Sequence, residues 1–377
     1  MRRKKEISIN RVLLSIFSIT LLFNACNTGE RRIYIEELEC CNISNPEGID
    51  APLLSWKIKS SRQGITQTAW EIEIASQQDL LEKGEADIWK SGKQPSAQQF
   101  GIQPETDFKE GSSYFWRVRI WEENDEENDK ASQWSKPAGF SIGLLNESTW
   151  KAKWITYADP DQHALPYFRK SFSTDKGKKI SKALVYFCGL GAGELSLNGN
   201  TVDPTRLLDP AQTDYDQLAL YSTFDVTSHL KNGENVIGVM LGGGWFSQKE
   251  AWQGANFSYG DPMLRLQLVI SYKDGSQTIL GSDESWEWRE GPVRKSNIYL
   301  GETYDANYEI EGWNKAGSSS EGWQKALAAT KDMPPRLLPQ LNPPIRKKEV
   351  LSAEKIWQDS LDNWIFDFGV NVAGIPL

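Results

Sequence analysis

Histidine and cysteine are scarce in this chain. Its 377 residues include only two histidines, His163 and His229, and four cysteines. No Ser/His/Asp or Cys/His arrangement stands out, and no cysteine has the spacing of zinc ligands. The sequence therefore gives no support to histidine-assisted nucleophilic catalysis or to a metal site. Cys40 and Cys41 are adjacent and are not expected to bridge each other, and Cys188 is expected to be a small buried apolar side chain.

An excess of positive charge is also missing. Lysine and arginine total 42 against 51 aspartates and glutamates, which gives a formal net charge of −9. This balance argues against nucleic acid or an anionic membrane surface as a partner. Long stretches with helical periodicity are absent too, which excludes a helical barrel or bundle. The length is enough for two sandwich domains of ordinary size with a leader and a tail.

Short alternating segments separated by tight turns fill the middle of the chain. Glu194 to Leu197 alternates polar and apolar residues, and Asn198-Gly199 supplies a hairpin turn because both residues tolerate positive φ. Ile237, Val239 and Leu241 share one face of a following strand. Leu264, Leu266, Leu268 and Ile270 share a face of another, which turns at residues 273–276. The pattern predicts an antiparallel β-sandwich.

The sequence of this region resembles that of a known module. The run LNGNTVD, LDPAQTDYD, FDVTSHLKNGENVIGVMLGGGWF, YGDPMLRLQL and IYLGETYDA occurs in order within the stretch of about 130 residues from Lys182 to Trp313. It resembles the N-terminal jelly-roll module, a galactose-binding-like sandwich, of the bacterial α-L-rhamnosidases of glycoside hydrolase family 78. We assign this module to residues 150–313.

Residues 31–146 are expected to form a separate small sandwich. Trp70, Ile72 and Ile74 alternate with glutamates, as in a strand with one buried face, and the segment from Tyr114 to Trp121 alternates in the same way. The phrases NPEGIDAPLLSW, ADIWKSGK, YFWRVRIW and WSKPAGFSIGLL resemble the fibronectin-III-like domain that precedes the jelly roll in the same family. The predicted fold class is therefore all-β, with two consecutive β-sandwiches.

The carboxy-terminal part is predicted to be a connector followed by the start of a third domain. Residues 314–350 are rich in serine and then proline, which predicts an extended and poorly packed connector. Residues 351–377 end in WIFDFGVNVAGIPL, which resembles the first strand of the β-domain that precedes the catalytic barrel in these enzymes. The sequence stops within that segment, so we expect a truncated family member.

The amino end has the layout of an export signal. MRRKK is followed by an apolar stretch over residues 12–23, too short for a comfortable membrane span. Cys26 follows Ala25 at the position where a bacterial lipoprotein is cleaved and acylated, although Phe23 and Asn24 depart from the usual pattern. We expect residues 1–26 to be a lipoprotein signal and Cys26 to carry a lipid, which would anchor the exported chain to a membrane at the periplasm or cell surface. An ordinary cleaved signal is the alternative.

The resemblance implies hydrolysis of terminal α-L-rhamnose from glycans or glycosides by an inverting mechanism. Such a mechanism needs two carboxylates as general acid and general base, and in the family both lie in an (α/α)6 barrel downstream of Leu377. The chain alone is therefore expected to be inactive. A stand-alone surface carbohydrate-binding lipoprotein and a structural spacer are the alternatives. The sequence does not support a cofactor, bound Ca²⁺ included, and does not indicate an oligomeric state.

The stretch from Trp245 to Pro262 is the candidate for sugar contact. Aromatic rings stack on the apolar faces of sugars, and the chain as a whole has 16 tryptophans, 12 tyrosines and 14 phenylalanines. Within the stretch we select Trp245, Trp252, Asn256 and Tyr259, since long loops on rigid sandwiches often carry binding groups. The alternative is that the loop packs against a neighbouring domain. Asp214, Asp216, Glu302 and Asp305 are interpreted as solvated or turn-capping acids.

Overall fold

The computed structural model describes residues 33–61, 63–123, 131–160, 164–372 and 374, apart from the side chain of Trp252. The export signal and Cys26 lie outside the described residues, as does His163. Within the described residues, no helix is both long enough and apolar enough to cross a membrane. The chain is almost entirely β-structure, which confirms the predicted all-β class.

The chain divides into two compact units. Among the described residues, the first unit comprises those within 33–44, 53–106 and 114–139, and the second comprises those within 45–52 and 107–113 and those from 140 onward. The short segments 45–52 and 107–113 therefore belong with the second unit, whereas the sequence placed them in a sandwich over residues 31–146. Hydrogen bonds explain part of this difference, because the Lys182 ammonium donates to Glu47 Oε1 over 2.7 Å.

Six strands and one short helix lie in the amino-terminal part. They are β1 Ile33–Cys40, β2 Leu54–Ser60, β3 Gln67–Ala75, α1 Gln78–Lys83, β4 Trp89–Lys90, β5 Ser113–Glu122 and β6 Ala138–Ser141. Strands β1 and β2 form one sheet, and a second sheet has the order β4-β3-β5-β6. The predicted inward alternation is confirmed, since Ile72, Ile74, Trp116 and Val118 are all fully buried.

The opposite face of β3 and β5 is covered by charged and aromatic side chains. Arg117 pairs with Glu73 at 2.6 Å, and Arg119 pairs with Glu71 at 2.6 Å. Both guanidinium groups lie over the ring of Trp134, at 4.4 and 4.6 Å from its centroid. Glu73 is consequently buried, although the alternation predicted that its side chain would face solvent. The arginine charges and the Trp134 ring offset part of the cost of taking the carboxylate out of water.

The second unit contains the remaining strands. They are β7 Ile155–Thr156, β8 Pro166–Ser173, β9 Ile180–Leu190, β10 Ala192–Leu197, β11 Asn200–Thr201, β12 Ala219–Asp225, β13 Glu234–Gly242, β14 Met263–Tyr272, β15 Gln277–Gly281, β16 Glu287–Glu290, β17 Val293–Asn297, β18 Gly301–Tyr304, β19 Gln324–Lys325, β20 Leu327–Ala328, β21 Leu337–Pro339, β22 Lys355–Gln358 and β23 Trp364–Asp367. Four 3-10 turns lie within the described residues, at Glu147–Thr149, Thr227–His229, Trp252–Gly254 and Ala306–Tyr308.

Two large sheets of this unit enclose its core. One has the order β11-β10-β13-β8-β16-β19, and the other has the order β20-β7-β14-β9-β12-β21 with β15 paired to β14. The side chains predicted to share faces of β13 and β14 meet in one buried cluster. The predicted hairpin turn is also present, with φ values of 54° at Asn198 and 87° at Gly199. Cys188 is fully buried, and no described cysteine forms a disulfide.

The expectation of a poorly packed connector over residues 314–350 is wrong. Strand β19 pairs with β16, β20 pairs with β7, and β21 runs parallel to β12. Ala326, between two of these strands, is 2% exposed and belongs to the core. Proline is tolerated because each of these strands lies at the edge of a sheet, where one row of backbone donors is not needed for pairing.

A buried arginine holds the start of this returning segment. Arg169 on β8 is 4% exposed and donates to Glu287, to Ser318 Oγ at 2.9 Å and to the Ser319 carbonyl at 2.8 Å. Its guanidinium carbon lies 3.9 Å from the centroid of the Trp323 ring. The charge is thereby satisfied by hydrogen bonds and by an aromatic face.

The last described strands, β22 and β23, pair only with each other within the described residues. Strand β23 confirms the strand predicted at WIFD. Trp364 and Phe366 on it are exposed, at 63% and 55%. The assignment of residues 351–377 to a third domain stays a prediction.

We expect Arg169→Met to destabilise the second unit by about 3 kcal/mol, because it removes the buried guanidinium that donates to Glu287 and to the Trp313 and Ser319 carbonyls. Arg289→Met is the matched control. Arg289 reaches the same segment through one hydrogen bond, of 3.1 Å, to the Glu321 carbonyl, and its loss should cost less than about 1 kcal/mol. Urea denaturation monitored by tryptophan fluorescence measures both, and equal effects would contradict the role given to Arg169.

Candidate functional site

The aromatic loop predicted from the sequence joins β13 to β14 and rises from a tightly packed base. A Cβ atom on Gly191 would lie 1.7 Å from the Gly243 carbonyl oxygen, so the two backbones are in direct contact. Gly244 has a φ of 48°, in the left-handed region that glycine adopts without strain. The glycine run therefore lets the chain turn sharply against the end of β9 and enter the loop.

The loop is folded upon itself by backbone hydrogen bonds. The Tyr259 amide donates to the Phe246 carbonyl and the Phe257 amide to the Gln248 carbonyl, both over 2.9 Å. A salt bridge of 2.7 Å joins Lys249 to Asp261 near the end of the loop. These contacts fix the loop at several points along its length, so its aromatic side chains are held in defined positions.

Two of the loop's aromatic residues, Phe246 and Tyr259, stack on each other with ring centroids 6.3 Å apart. Phe246 is fully buried, Tyr259 is 39% exposed and Phe257 is 49% exposed. Tyr215 touches both Phe246 and Tyr259 edge-on, with ring centroids 5.2 Å apart in each case. Burial raises the pKa of the Tyr215 phenol above its ordinary range. Tyr259 therefore rests on a rigid aromatic base and presents part of its ring outward.

The four predicted site residues have different surroundings. Trp245 is half-buried and meets Tyr299 edge-on at 5.9 Å. Tyr259 belongs to the stack just described. Asn256 is exposed, and its Oδ1 accepts a hydrogen bond of 2.9 Å from the Ser258 amide, so part of its polar capacity shapes the loop. The side chain of Trp252 lies outside the described structure.

The arrangement suits contact with a ring that has an apolar face, and the loop carries two acids, Glu250 and Asp261. Asp261 is engaged by Lys249. Asp214 and Asp305 accept hydrogen bonds from the amides of Asp216 and Asn307, which confirms their interpretation as turn-capping residues. Within the described residues, no group of three or more His, Cys, Asp or Glu side chains could hold a metal ion. The loop can stack and hydrogen-bond, and it has no evident general acid and base.

A second concave feature was missed in the sequence. A cavity of about 300 Å³ opens beside β10 and β13 and is lined by Arg206, Asp209 and Glu302, among others. The sequence predicts Glu302 only as a solvated or turn-capping acid. A usable signal was the aspartate directly before a proline in LDPAQTDYD, because such residues shape turns. The burial of Asp209 could not be predicted from the sequence, since it depends on contacts with distant strands.

Two family models match the chain. Residues 35–146 match the Rha78A-like N-terminal immunoglobulin domain, and residues 178–349 match the α-L-rhamnosidase N-terminal domain. The chain belongs to the α-L-rhamnosidase family. It corresponds to the amino-terminal portion of such proteins.

Curated relatives and solved structures show the same correspondence. An α-L-rhamnosidase of Formosa agariphila is 32% identical over 402 aligned positions, which cover 97% of this chain and 41% of the relative. One from Alteromonas sp. strain LOR is 31% identical over 86% of this chain and 36% of its own length. The solved α-L-rhamnosidase from Dictyoglumus thermophilum superposes with a TM-score of 0.79 at 34% identity and covers 90% of this chain and 38% of the other. This α-L-rhamnosidase family chain thus spans well under half the length of these relatives.

The ring contacts among Tyr215, Phe246 and Tyr259 predict which aromatic side chains stabilise the aromatic loop. Phe246→Ala should cost about 3–5 kcal/mol of unfolding free energy, because it empties a fully buried site beneath Tyr259. Phe257→Ala is the matched control at an exposed position in the same loop and should cost less than about 1 kcal/mol. Chemical denaturation of both variants decides the matter, and a small effect at Phe246 would mean that the loop is not anchored through its ring.

Proposed function

We propose that this chain is the substrate-recognition portion of an α-L-rhamnosidase that removes terminal α-L-rhamnose from glycans or glycosides with inversion. One observation carries the proposal: the similarity to the Formosa agariphila α-L-rhamnosidase runs through 97% of this chain and therefore through both sandwiches. The aromatic loop supports a role in recognition, because Tyr259 and Phe257 expose ring surface on a fixed base. Such rings stack on the C–H face of a sugar.

The catalytic step in this proposal belongs to residues outside the described structure. Inversion requires an acid and a base carboxyl group roughly 6.5–9.5 Å apart, one to protonate the leaving oxygen and one to activate water on the opposite face. The described residues contain a single α-helix, of six residues, so a helical barrel is not among them. The contribution of this chain is to bind and orient the glycan for those groups.

Residues 27–377 alone are expected to release no rhamnose from an aryl α-L-rhamnoside. The longer polypeptide that we propose to contain them should release it, with the anomeric configuration inverted in the first product. Product formation is followed by absorbance of the aryl alcohol and by proton NMR of the freed sugar. Hydrolysis by the fragment would refute the division of roles, and retention in the longer protein would refute the mechanism.

A stand-alone carbohydrate-binding lipoprotein is the second candidate. The exposed rings of Phe257 and Tyr259 favour it, since a binding protein needs a stacking surface but no acid and base. The same assay separates the two candidates. A polypeptide purified from its natural source that binds rhamnosides and hydrolyses none of them would favour the binding protein.

We also propose that the chain is exported and anchored to a membrane through a lipid on Cys26. The basic start, the apolar stretch and the cysteine after Ala25 support this proposal. Cys26→Ser is expected to move the exported protein from the membrane fraction to the soluble fraction, as measured by immunoblotting after fractionation. Cys41→Ser is the control and should stay at the membrane. Wild-type protein that is soluble after export would refute the anchor.

A further inference from the structure

The first unit has a cavity of its own, beside the loop that joins β4 to β5. It has a volume of about 440 Å³, and its lining residues lie between Trp70 and Glu105, within the first unit. Trp70 and Ile102 are the most buried of them, at 8% and 6% exposed. A volume of this size is within the range of pockets that hold a drug-sized ligand. The cavity therefore has room for a ligand of one or two rings.

The loop beside the cavity is fixed to β2 and β3. Gln67 is 2% exposed, and its Nε2 donates to the carbonyls of Ser96 and Gln98 over 3.1 and 3.0 Å. Residues 94 and 102 pair through their backbones with residues 70 and 54, with hydrogen bonds of 2.8 to 3.0 Å. The backbone of the loop is thus positioned before any ligand arrives, which lowers the entropic cost of binding.

Several polar groups at the cavity are accessible and have no partner in the protein. Gln98 and Gln103 line the cavity and are exposed. Gln98 uses its Nε2 for a hydrogen bond of 2.9 Å to the Phe100 carbonyl, which leaves its Oε1 available, and the side-chain amide of Gln103 has no partner within the described residues. Trp89 is half-buried at the same cavity, and its indole N–H reaches solvent and lacks an acceptor among those residues.

The charges at the cavity do not favour an anion. Lys90 and Glu105 are the charged residues of its lining. The Lys90 ammonium lies 3.7 Å from Glu73 and donates to the Gly84 carbonyl over 3.2 Å, so its charge is already met. Glu105 forms no ion pair within the described residues. A negatively charged ligand would be repelled by that carboxylate, and a neutral ligand is therefore favoured.

These groups fit a polyhydroxylated ligand better than a peptide. Primary amides both donate and accept hydrogen bonds, as sugar hydroxyls do, so each glutamine of the lining can bind a hydroxyl. Peptides are bound mainly through a strand edge or through pockets for apolar side chains, whereas the apolar residues Trp70 and Ile102 expose little surface here. Next to the lining, Phe100 is 74% exposed, which adds an aromatic surface of the kind that contacts sugar C–H faces.

We propose that this cavity in the first unit is a glycan-anchoring site that binds a neutral mono- or disaccharide unit through Gln98, Gln103 and the indole N–H of Trp89. It shares no residue with the aromatic loop and belongs to a different unit. Two linked weak sites hold one polymer more tightly than either site alone. The choice of a rhamnosyl disaccharide as the first probe rests on the proposed function, whereas the preference for a neutral glycan rests on the cavity itself.

Titration of the purified full chain with rutinose (an α-L-rhamnosyl disaccharide), cellobiose and digalacturonate tests the site. The readout is the set of tryptophan indole N–H resonances in proton–nitrogen NMR spectra, in which the Trp89 resonance is identified by its loss in Trp89→Phe. At least one neutral disaccharide should shift it, with a roughly millimolar Kd, and digalacturonate should bind about tenfold more weakly. Because this resonance belongs to the first unit, sugar bound elsewhere in the chain does not obscure the result.

The double variant Gln98→Ala with Gln103→Ala should weaken binding of the neutral disaccharide about tenfold, because each substitution removes a hydrogen-bonding group from the site. Both side chains are exposed, so the variant is expected to fold, which circular dichroism checks. Gln99→Ala is the matched control. Gln99 is a glutamine of the same loop outside the lining of the cavity, and its substitution should leave the affinity unchanged.

Four results would overturn the site. They are a Trp89 resonance that no neutral disaccharide shifts, a double variant that binds as tightly as the wild type, an equal loss of affinity in Gln99→Ala, and tighter binding of a blocked tri-alanine peptide than of either neutral sugar. The last of these would assign the cavity to peptides.

The outcome is independent of catalysis. Binding of cellobiose but not rutinose, with the expected loss in the double variant, would support the site and remove rhamnose as its ligand. Failure of the longer polypeptide to hydrolyse a rhamnoside would count against the proposed function and would leave these binding results unchanged.

Discussion

Arg169 on β8 pairs with Glu287 on the neighbouring β16, and its remaining donors have to be met by groups from outside these strands. The segment that begins at Trp313 meets them, because that segment brings two carbonyls, a hydroxyl and the face of Trp323 to one guanidinium. A buried cation left without these partners would be strongly destabilising. The returning chain is therefore part of the sandwich and cannot be regarded as a linker leading away from it.

The segment that begins at Trp313 also covers sheet edges that would otherwise be exposed. Strands β19, β20 and β21 occupy three edges of the two large sheets. An exposed edge can pair with another chain, and native proteins usually cover it. Here the covering segment also reaches the wall of the cavity near Asp209, through pairing of residues 205–207 with residues 345–347. Edge protection and support of the cavity wall are thus achieved by one stretch of chain.

Local chemistry explains which parts of the fold could be predicted. The turn at Asn198-Gly199 and the shared faces of β13 and β14 follow from residues close together in the sequence, and both predictions were confirmed. The strands of the connector are only two or three residues long and have no periodicity. Each exists because a distant partner offers it hydrogen bonds, as β7 does for β20. Such pairing leaves no pattern in the segment itself.

The candidate sites show the same limit. Aromatic richness identified the loop, but it could not show that Phe246 would be a buried support while Tyr259 stayed partly open. Asp209 was overlooked because an aspartate in a loop is usually solvated. Its burial depends on Arg206 and on Ser222 from β12, and the sequence does not indicate that these side chains meet.

The pairing of β7 with β20 has a consequence for biosynthesis. The strand at Ile155–Thr156 is made early, and its partner at Leu327–Ala328 follows after most of the unit has been synthesised. Contacts between residues so far apart in sequence form slowly, because the entropic cost of closing a long loop comes before the contacts contribute any stabilisation. During synthesis, β7 therefore lacks its partner strand β20 until residues 327–328 have emerged from the ribosome. A chaperone that shields this edge would have its greatest effect during that interval.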